Sequence, residues 1–462
     1  MMKPYYEQMI KRTFLDFTQT SRFLEAPVIF NKAEGAYLWD INGKRYFDAI
    51  GGIFVASLGH RHPRVMEAMR KQMELLTFVP PFHGIADVTL EFIKRLGEVT
   101  PGNLNYIKSF SGGSESVEAA LKLVRQYYKQ TGQPDKMKCI TNYLSYHGAT
   151  FATMSAGGSP RKVKSEPHMP GFIKMYSPKQ LRDNFATWEE TCRFCANLFE
   201  KTILAENPDT IGAVLVEPIC NTAGIITPTA EYFRIIRNLC DKYGIMLIFD
   251  EVLTGFGKTG DMFAAQTYGV VPDIICSGKG LSSGAVPMSA FMVREDITDV
   301  FLGEEKDNIN FAHGHTYAAF PLANAVAIEV INILEEEKLP ARARVMGERI
   351  RQRLEGLKEL GIVREVRGKG ILLGVEIVED ATTNKPFSAE KNFGNALKRT
   401  AIKNGVILRI DHDWFAVAPP LICTDAQIEE MCDLITKSVH DALDMICPSR
   451  GNNNKPAKGK QK

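Results

Sequence analysis

Ile211-Gly212-Ala213-Val214-Leu215-Val216, Ile245-Met246-Leu247-Ile248-Phe249 and Asp273-Ile274-Ile275-Cys276 are three short, nearly unbroken apolar runs, and their reading decides the fold. Strands that are apolar at every position, instead of at alternate ones, are buried on both faces, the condition of a parallel sheet covered by helices. Between the first two runs, Ala230 to Tyr243 reads as an amphipathic helix. The alternation predicts an α/β domain whose mostly parallel sheet is flanked by helices. In open sheets of this kind ligands bind beyond the carboxyl ends of the strands, so the residues after each run are the first candidates for chemistry.

Two such ends carry charge. Ile248-Phe249-Asp250-Glu251-Val252 closes one strand with an acidic pair, and Ser277-Gly278-Lys279-Gly280-Leu281 follows another with a lysine between glycines. A lysine at a buried strand end pays for desolvation unless it is paired or neutral, and a neutral amine is the form that attacks a carbonyl. Alone, Gly-Lys-Gly is a surface turn and Asp250 a helix cap or turn carboxylate. Together they suit a cofactor whose pyridine ring works as an electron sink, with Asp250 keeping the ring nitrogen protonated. Ser109-Phe110-Ser111-Gly112-Gly113-Ser114-Glu115, ahead of a helical stretch from Ser116 to Tyr128, reads alone as either a capped helix start or a phosphate cup, and beside the other pieces as the cup. Glycines let backbone N–H groups approach an anion, and the helix start contributes unpaired donors. No Gly-Lys-Ser/Thr follows, so this is not a nucleotide P-loop. Ser145-Tyr146-His147-Gly148 offers an aromatic face to a flat ring, although a lone tyrosine is more often a core residue.

The rest of the chain bounds these readings. Its 462 residues, 45% hydrophobic and 24% charged, have an ordinary enzyme composition. With 56 basic and 54 acidic side chains the formal charge is +2, and no basic stripe interleaved with aromatics favours nucleic acid. No run approaches the ~18 apolar residues of a membrane span, and the polar start lacks a signal peptide's apolar region, so neither membrane nor export is expected and the location expected is cytoplasmic. Nine scattered cysteines suit reduced core thiols, and Cys192 and Cys195, though spaced CxxC, lack the further ligands of a zinc site, so no metal is expected.

Trp39-Asp40-Ile41-Asn42-Gly43-Lys44 reads as a hairpin around Asn-Gly. From Pro321 the pattern predicts a helix through Ala341, a second from Arg342 to Leu360, and a strand over Gly370 to Val375. The expected organisation is a large domain over 62–325, a smaller α+β domain built from both chain ends (1–61 with 326–448), and a disordered basic tail over 449–462.

Cup, Tyr-His-Gly, Asp-Glu-Val and Gly-Lys-Gly, in this order, resemble the class III aminotransferases among the fold-type I pyridoxal phosphate enzymes. The stretch Leu247-Ile248-Phe249-Asp250-Glu251-Val252-Leu253-Thr254-Gly255-Phe256-Gly257-Lys258-Thr259-Gly260, continued through Pro272-Asp273 to Ser277-Gly278-Lys279, is similar to the family's long signature. The resemblance runs from about Tyr37 to Cys423. It implies pyridoxal 5'-phosphate as cofactor, Lys279 as the Schiff-base and proton-transfer lysine, and Asp250 as partner of the pyridinium nitrogen. It further implies Val252 and Tyr146 on the two ring faces and Gly113 and Ser114 at the phosphate. Thr316 matches a threonine that reaches the phosphate in the neighbouring subunit, which implies a homodimer with shared active sites and leaves tetramers open. Two departures stand out: Gly112 replaces a hydroxyl residue in the cup, and Lys258 replaces an arginine.

Within the family, Cys220-Asn221-Thr222-Ala223-Gly224 stands where ornithine- and γ-aminobutyrate-type members carry Gln-Gly-Glu. With Thr222 in place of the acid, Arg409 is left without an evident permanent partner, free to swing in toward a carboxylate or out to admit an uncharged group; a surface or ion-paired arginine is the other reading. This favours the ω-amino acid or amine:pyruvate subgroup, with ping-pong transfer from an amino donor to a keto acid, pyruvate. Ile53, Phe54 and Phe82 are expected to line the substrate pocket. A decarboxylase, racemase or aminomutase on the same scaffold, and a catalytically silent binding protein of this fold, remain alternatives on these grounds.

Overall fold

The computed structural model describes residues 4–447, so the basic tail expected at 449–462 lies outside the described residues. Strands β1 (Phe30–Glu34), β2 (Tyr37–Asp40) and β3 (Arg45–Asp48) form an antiparallel ribbon. Its second turn is the expected Asn42-Gly43, where Gly43 takes φ +81° and donates its N–H to the Asp40 carbonyl at 2.9 Å.

The centre is a seven-stranded sheet made of β4 (Tyr106–Phe110), β5 (Lys138–Asn142), β6 (Phe172–Met175), β7 (Ile211–Val216), β8 (Met246–Asp250), β9 (Ile274–Ser277) and β10 (Ser289–Val293). Their order is β4-β10-β9-β8-β7-β5-β6. Only β10 runs antiparallel to its neighbours, and the block from β9 to β6 is parallel throughout. Every residue of β7, β8 and β9 is buried, as their uninterrupted apolar character requires. The helix Ala230–Tyr243 falls between β7 and β8 and ends at Gly244 in the left-handed conformation, a common helix stop.

The remaining strands are β11 (Val363–Lys369), β12 (Leu372–Ile377), β13 (Val406–Ile407), β14 (Arg409–Ile410) and β15 (Trp414–Val417). β13 adds in parallel to β3, so the two chain ends share one sheet, while β11-β12-β15-β14 form another.

Two expected boundaries move. The helix from Pro321 stops at Glu336, not Ala341, because Lys338 turns left-handed (φ +52°) and Pro340 opens a second helix, Leu339–Glu355. Proline suits a helix's first turn and breaks its interior. The strand expected over Gly370 to Val375 is displaced to Leu372–Ile377, since Gly370 (φ +54°) belongs to the turn between β11 and β12. A domain boundary at residue 325 also falls inside the continuous helix Pro321–Glu336, which packs on the helices Pro63–Leu75 and Asp87–Gly97.

Candidate active site

The carboxyl ends of β7, β8 and β9, the loop after β5 and the start of the helix Gly113–Gln130 converge on a cavity of about 680 Å³. That volume suits a cofactor with a small substrate. Gly113, Ser114, Tyr146, Asp250, Val252 and Lys279, distant in sequence, all line it.

Lys279 follows β9 across one residue and is held at φ +43°, a conformation that side-chain-bearing residues seldom adopt and that clusters at functional sites. Burial lowers the affinity of its amine for a proton, while Asp250 and Glu217 oppose that shift. Asp250, the last residue of β8, is 5% exposed. Its Oδ1 accepts the Val252 N–H at 3.1 Å and its Oδ2 lies 2.9 Å from His147 Nδ1. A carboxylate can only accept, so the ring nitrogen facing it donates and the His147 tautomer is set.

The phosphate cup is a helix start. Glu115 Oε2 accepts the N–H groups of Ser111 (2.8 Å) and Gly112 (3.0 Å). The N–H groups of Gly113 and Ser114 find no acceptor among the described residues and remain available to an anion. A Cβ on Gly113 would lie 2.9 Å from Val252 Cγ1, so glycine is what lets the cup approach the strand end after Asp250. Ser114 Oγ accepts the Ala149 N–H at 3.0 Å, tying the cup to the Tyr-His-Gly loop. A free helix N-terminus, a buried carboxylate and an amine that burial makes easier to deprotonate meet in one cavity and fit a phosphorylated pyridine aldehyde.

The expected substrate residues divide. Phe54 (1% exposed) and Ile53 line the cavity from a segment where Gly51, Gly52 and Phe54 all have positive φ. Phe82 is not part of it: Pro80 and Pro81 keep its segment out of helix or sheet, and the ring is 95% exposed. Thr316 is exposed and also lies outside the cavity. Arg409 lines the cavity but has a partner, contrary to expectation. It donates to Asp411 Oδ2 at 3.1 Å and to the Ile410 carbonyl at 2.9 Å, and its guanidinium lies 5.0 Å from the Trp414 ring centroid. The turn joining β14 to β15 supplies that acid, while the Thr222 hydroxyl donates to the Leu144 carbonyl at 2.6 Å.

Sequence reading left several pocket residues without a role, among them His147, Glu217, Arg161 and Lys398. Glu217 had a readable signal, since it follows β7 just as Asp250 ends β8. Its Oε1 accepts the Tyr146 N–H at 2.9 Å, and burial pushes its carboxyl up to about 7. An acid raised in the folded state from its ordinary 4.5 contributes stability that is complete below pH ~4.5 and lost as pH rises through ~7. In cofactor-free protein, Glu217→Gln is therefore expected to gain stability over wild type as pH rises from 5 to 8, by on the order of 1–3 kcal/mol. Paired thermal melts across that range check it, and a difference independent of pH speaks against a raised carboxyl.

Outside the cavity, Cys192 and Cys195 are buried a helical turn apart, their thiols pushed up to about 11 and about 12 by burial. Among the described residues no group of three or more His, Cys, Asp or Glu is placed to hold a metal ion. No described helix is long and apolar enough to cross a membrane. His313 and His315 pack against the Phe110 ring, away from the cavity.

The fold has counterparts among solved structures. A (S)-enantioselective omega-transaminase from Thermomicrobium roseum superposes with a TM-score of 0.90 at 36% identity, over 95% of this chain and 98% of that one. The omega transaminase of Pseudomonas jessenii, solved with PMP, gives 0.91 at 32% identity over 96% and 99%. The architecture is thus that of the fold-type I pyridoxal-phosphate-dependent transferases. The aminotransferase class-III family matches residues 19–439, and the chain belongs to it: this is a pyridoxal-phosphate-dependent aminotransferase. Among curated relatives, gamma-aminobutyrate transaminase 1, mitochondrial, of Oryza sativa subsp. japonica is 33% identical over 419 residues, 88% of this chain and 80% of the relative. Putrescine–pyruvate aminotransferase of Pseudomonas aeruginosa is 32% identical over 434 residues, 92% of each.

Proposed function

We propose that the enzyme moves an amino group from an ω-amino acid or primary amine to a keto acid, pyruvate, in two ping-pong halves, with Lys279 as covalent anchor and proton carrier. The observation that carries this reading is the convergence of Lys279, Asp250 and the free N–H groups of Gly113 and Ser114 on one cavity. Bound pyridoxal phosphate supplies the electron sink that acidifies the carbon bearing the amine.

The protein's own groups do the rest. Asp250, oriented by His147 and the Val252 N–H, holds a proton on the ring nitrogen. Lys279, whose amine burial makes easier to deprotonate, would take the proton from the donor carbon and return it on the other side of the transfer. Gly113 and Ser114 hold the phosphate, and Tyr146 and Val252 confine the ring. Ile53 and Phe54 bound the substrate space, and Arg409 receives the keto acid's carboxylate after leaving Asp411. The relatives named for γ-aminobutyrate and for putrescine with pyruvate support the substrate classes.

A homodimer with shared sites is part of the same reading. Thr316 and Phe82 are exposed and lie outside their own chain's cavity, as residues serving a neighbour's site would be. The nine unpaired cysteines suit a reducing, cytoplasmic setting. The two chain ends, joined through β3 and β13, are read as a second domain beside the large sheet.

The test is the half-reaction. Donor alone should bleach the yellow band of the loaded enzyme, and pyruvate alone should then restore it with one alanine per site. Bleaching that pyruvate does not reverse, or carbon dioxide release without an acceptor, overturns amino transfer to pyruvate.

A further inference from the structure

Two cations at the cavity mouth are left unused by the transfer chemistry. Arg161, in the 3-10 helix Pro160–Ser165, holds its guanidinium 4.0 Å from the Phe17 ring centroid and 6.0 Å from that of Tyr146. Lys398, on the helix Phe393–Asn404, lines the same cavity from the opposite end of the sequence. Neither side chain has an ion pair or a hydrogen bond among the described residues, although both are solvent-accessible and rich in donors.

The charges around them are countable. Arg409 is engaged by Asp411, and Arg22, near Lys398, donates to the Asn395 side chain. Asp16, on the N-terminal segment beside Phe17, is an exposed acid lining the cavity, yet it pairs with neither cation. Partial burial lowers the proton affinity of both Arg161 and Lys398 and Arg409 adds to it, while Asp411, already engaged by Arg409, opposes the shift in both without bonding to either, so an added carboxylate would find two unbonded cations.

We propose that Arg161 and Lys398 form a carboxylate subsite at the mouth of the pocket, which makes the preferred donor an ω-amino acid whose far carboxylate lies between them. The inference rests on the reading that the donor is an ω-amino compound, and it goes further by ranking the donors. An ω-amino acid gains a charge-assisted contact with each cation, a plain monoamine gains neither, and a diamine brings a second ammonium toward like charge. Phe17 stacked on the guanidinium limits its freedom, so less entropy is lost when a carboxylate arrives.

The experiment compares donors of matched length on the loaded full-length enzyme: γ-aminobutyrate, butylamine and putrescine, then ε-aminocaproate, hexylamine and hexamethylenediamine. Wild type, Arg161→Gln, Lys398→Gln and the double variant are each assayed for kcat and KM. The expected result is that the kcat/KM ratio of amino acid to monoamine falls about tenfold in each single variant, mostly through KM, while the diamine-to-monoamine ratio rises. Opposite movement of these two ratios reads charge, because general damage to the site lowers all donors together. Ratios that stay constant, or fall in parallel, overturn the subsite. Calorimetry with glutarate supplies a readout without turnover, with binding expected to weaken at least about fivefold in either variant and with added salt. If wild type turns over no amine at all, the proposed donor class fails, while the glutarate titration still decides the subsite.

Discussion

Lys279→Ala is expected to lose turnover by about 10⁴-fold or more, because one side chain supplies both the covalent anchor and the proton transfer. The variant should bind pyridoxal phosphate without forming a covalent link, so sodium borohydride no longer fixes the cofactor to the protein. Removing a half-buried amine whose protonated form is already disfavoured should leave the melting temperature close to that of wild type, which separates lost chemistry from lost fold. A small primary amine added to the variant should restore part of the rate by carrying the proton in the vacated space. Retention of more than about a tenth of wild-type activity would move the anchor elsewhere. Lys258 is then the residue to examine, since it is 2% exposed and its Nζ lies 2.7 Å from where a Cβ on Gly280 would stand.

Asp250→Asn is expected to cost about 10³-fold in kcat, with donor KM less affected, since a neutral amide cannot keep a positive charge on the ring nitrogen in a site this buried. Its Oδ1 can still accept from Val252 or His147, so the geometry at the end of β8 should survive. A cofactor analogue methylated on the ring nitrogen, and so permanently charged there, should recover much of the loss. If the Asn variant retains full kcat, or the analogue gives no recovery, Asp250 is a positioning residue for His147 instead of the ring's counter-charge.

How far these residues were legible differs by residue. Asp250 stands directly after one apolar run and Lys279 just beyond another, both runs having their burial written in their composition, and strand ends of a parallel sheet are where ligands bind. Glu217 obeys the same rule after β7 and was passed over only because a Glu-Pro pair carries no second local signal. Arg409 lines the cavity, but its partner left no mark in the sequence pattern: Asp411 is two residues away, and the contact exists because the chain turns between β14 and β15. Pro340 marked a helix break that a reading carried through to Ala341 ran past, and the charged run Glu335 to Lys338 ahead of it ends the apolar pattern. Phe82 looked like a pocket residue by composition, and its exposure is decided by a segment that no periodic pattern describes.

By itself the sequence determined the buried parallel strands, the helix between β7 and β8, and the chemistry waiting at the strand ends, because burial on both faces and helical spacing both leave local, periodic marks. The tertiary structure alone decided that Arg161 and Lys398 face one cavity with Phe17, that His147 orients Asp250, and that Arg409 rests on Asp411. Contacts between residues far apart in the chain have no period to read, and they come into being only when the sheet, the helix Phe393–Asn404 and the N-terminal segment pack together.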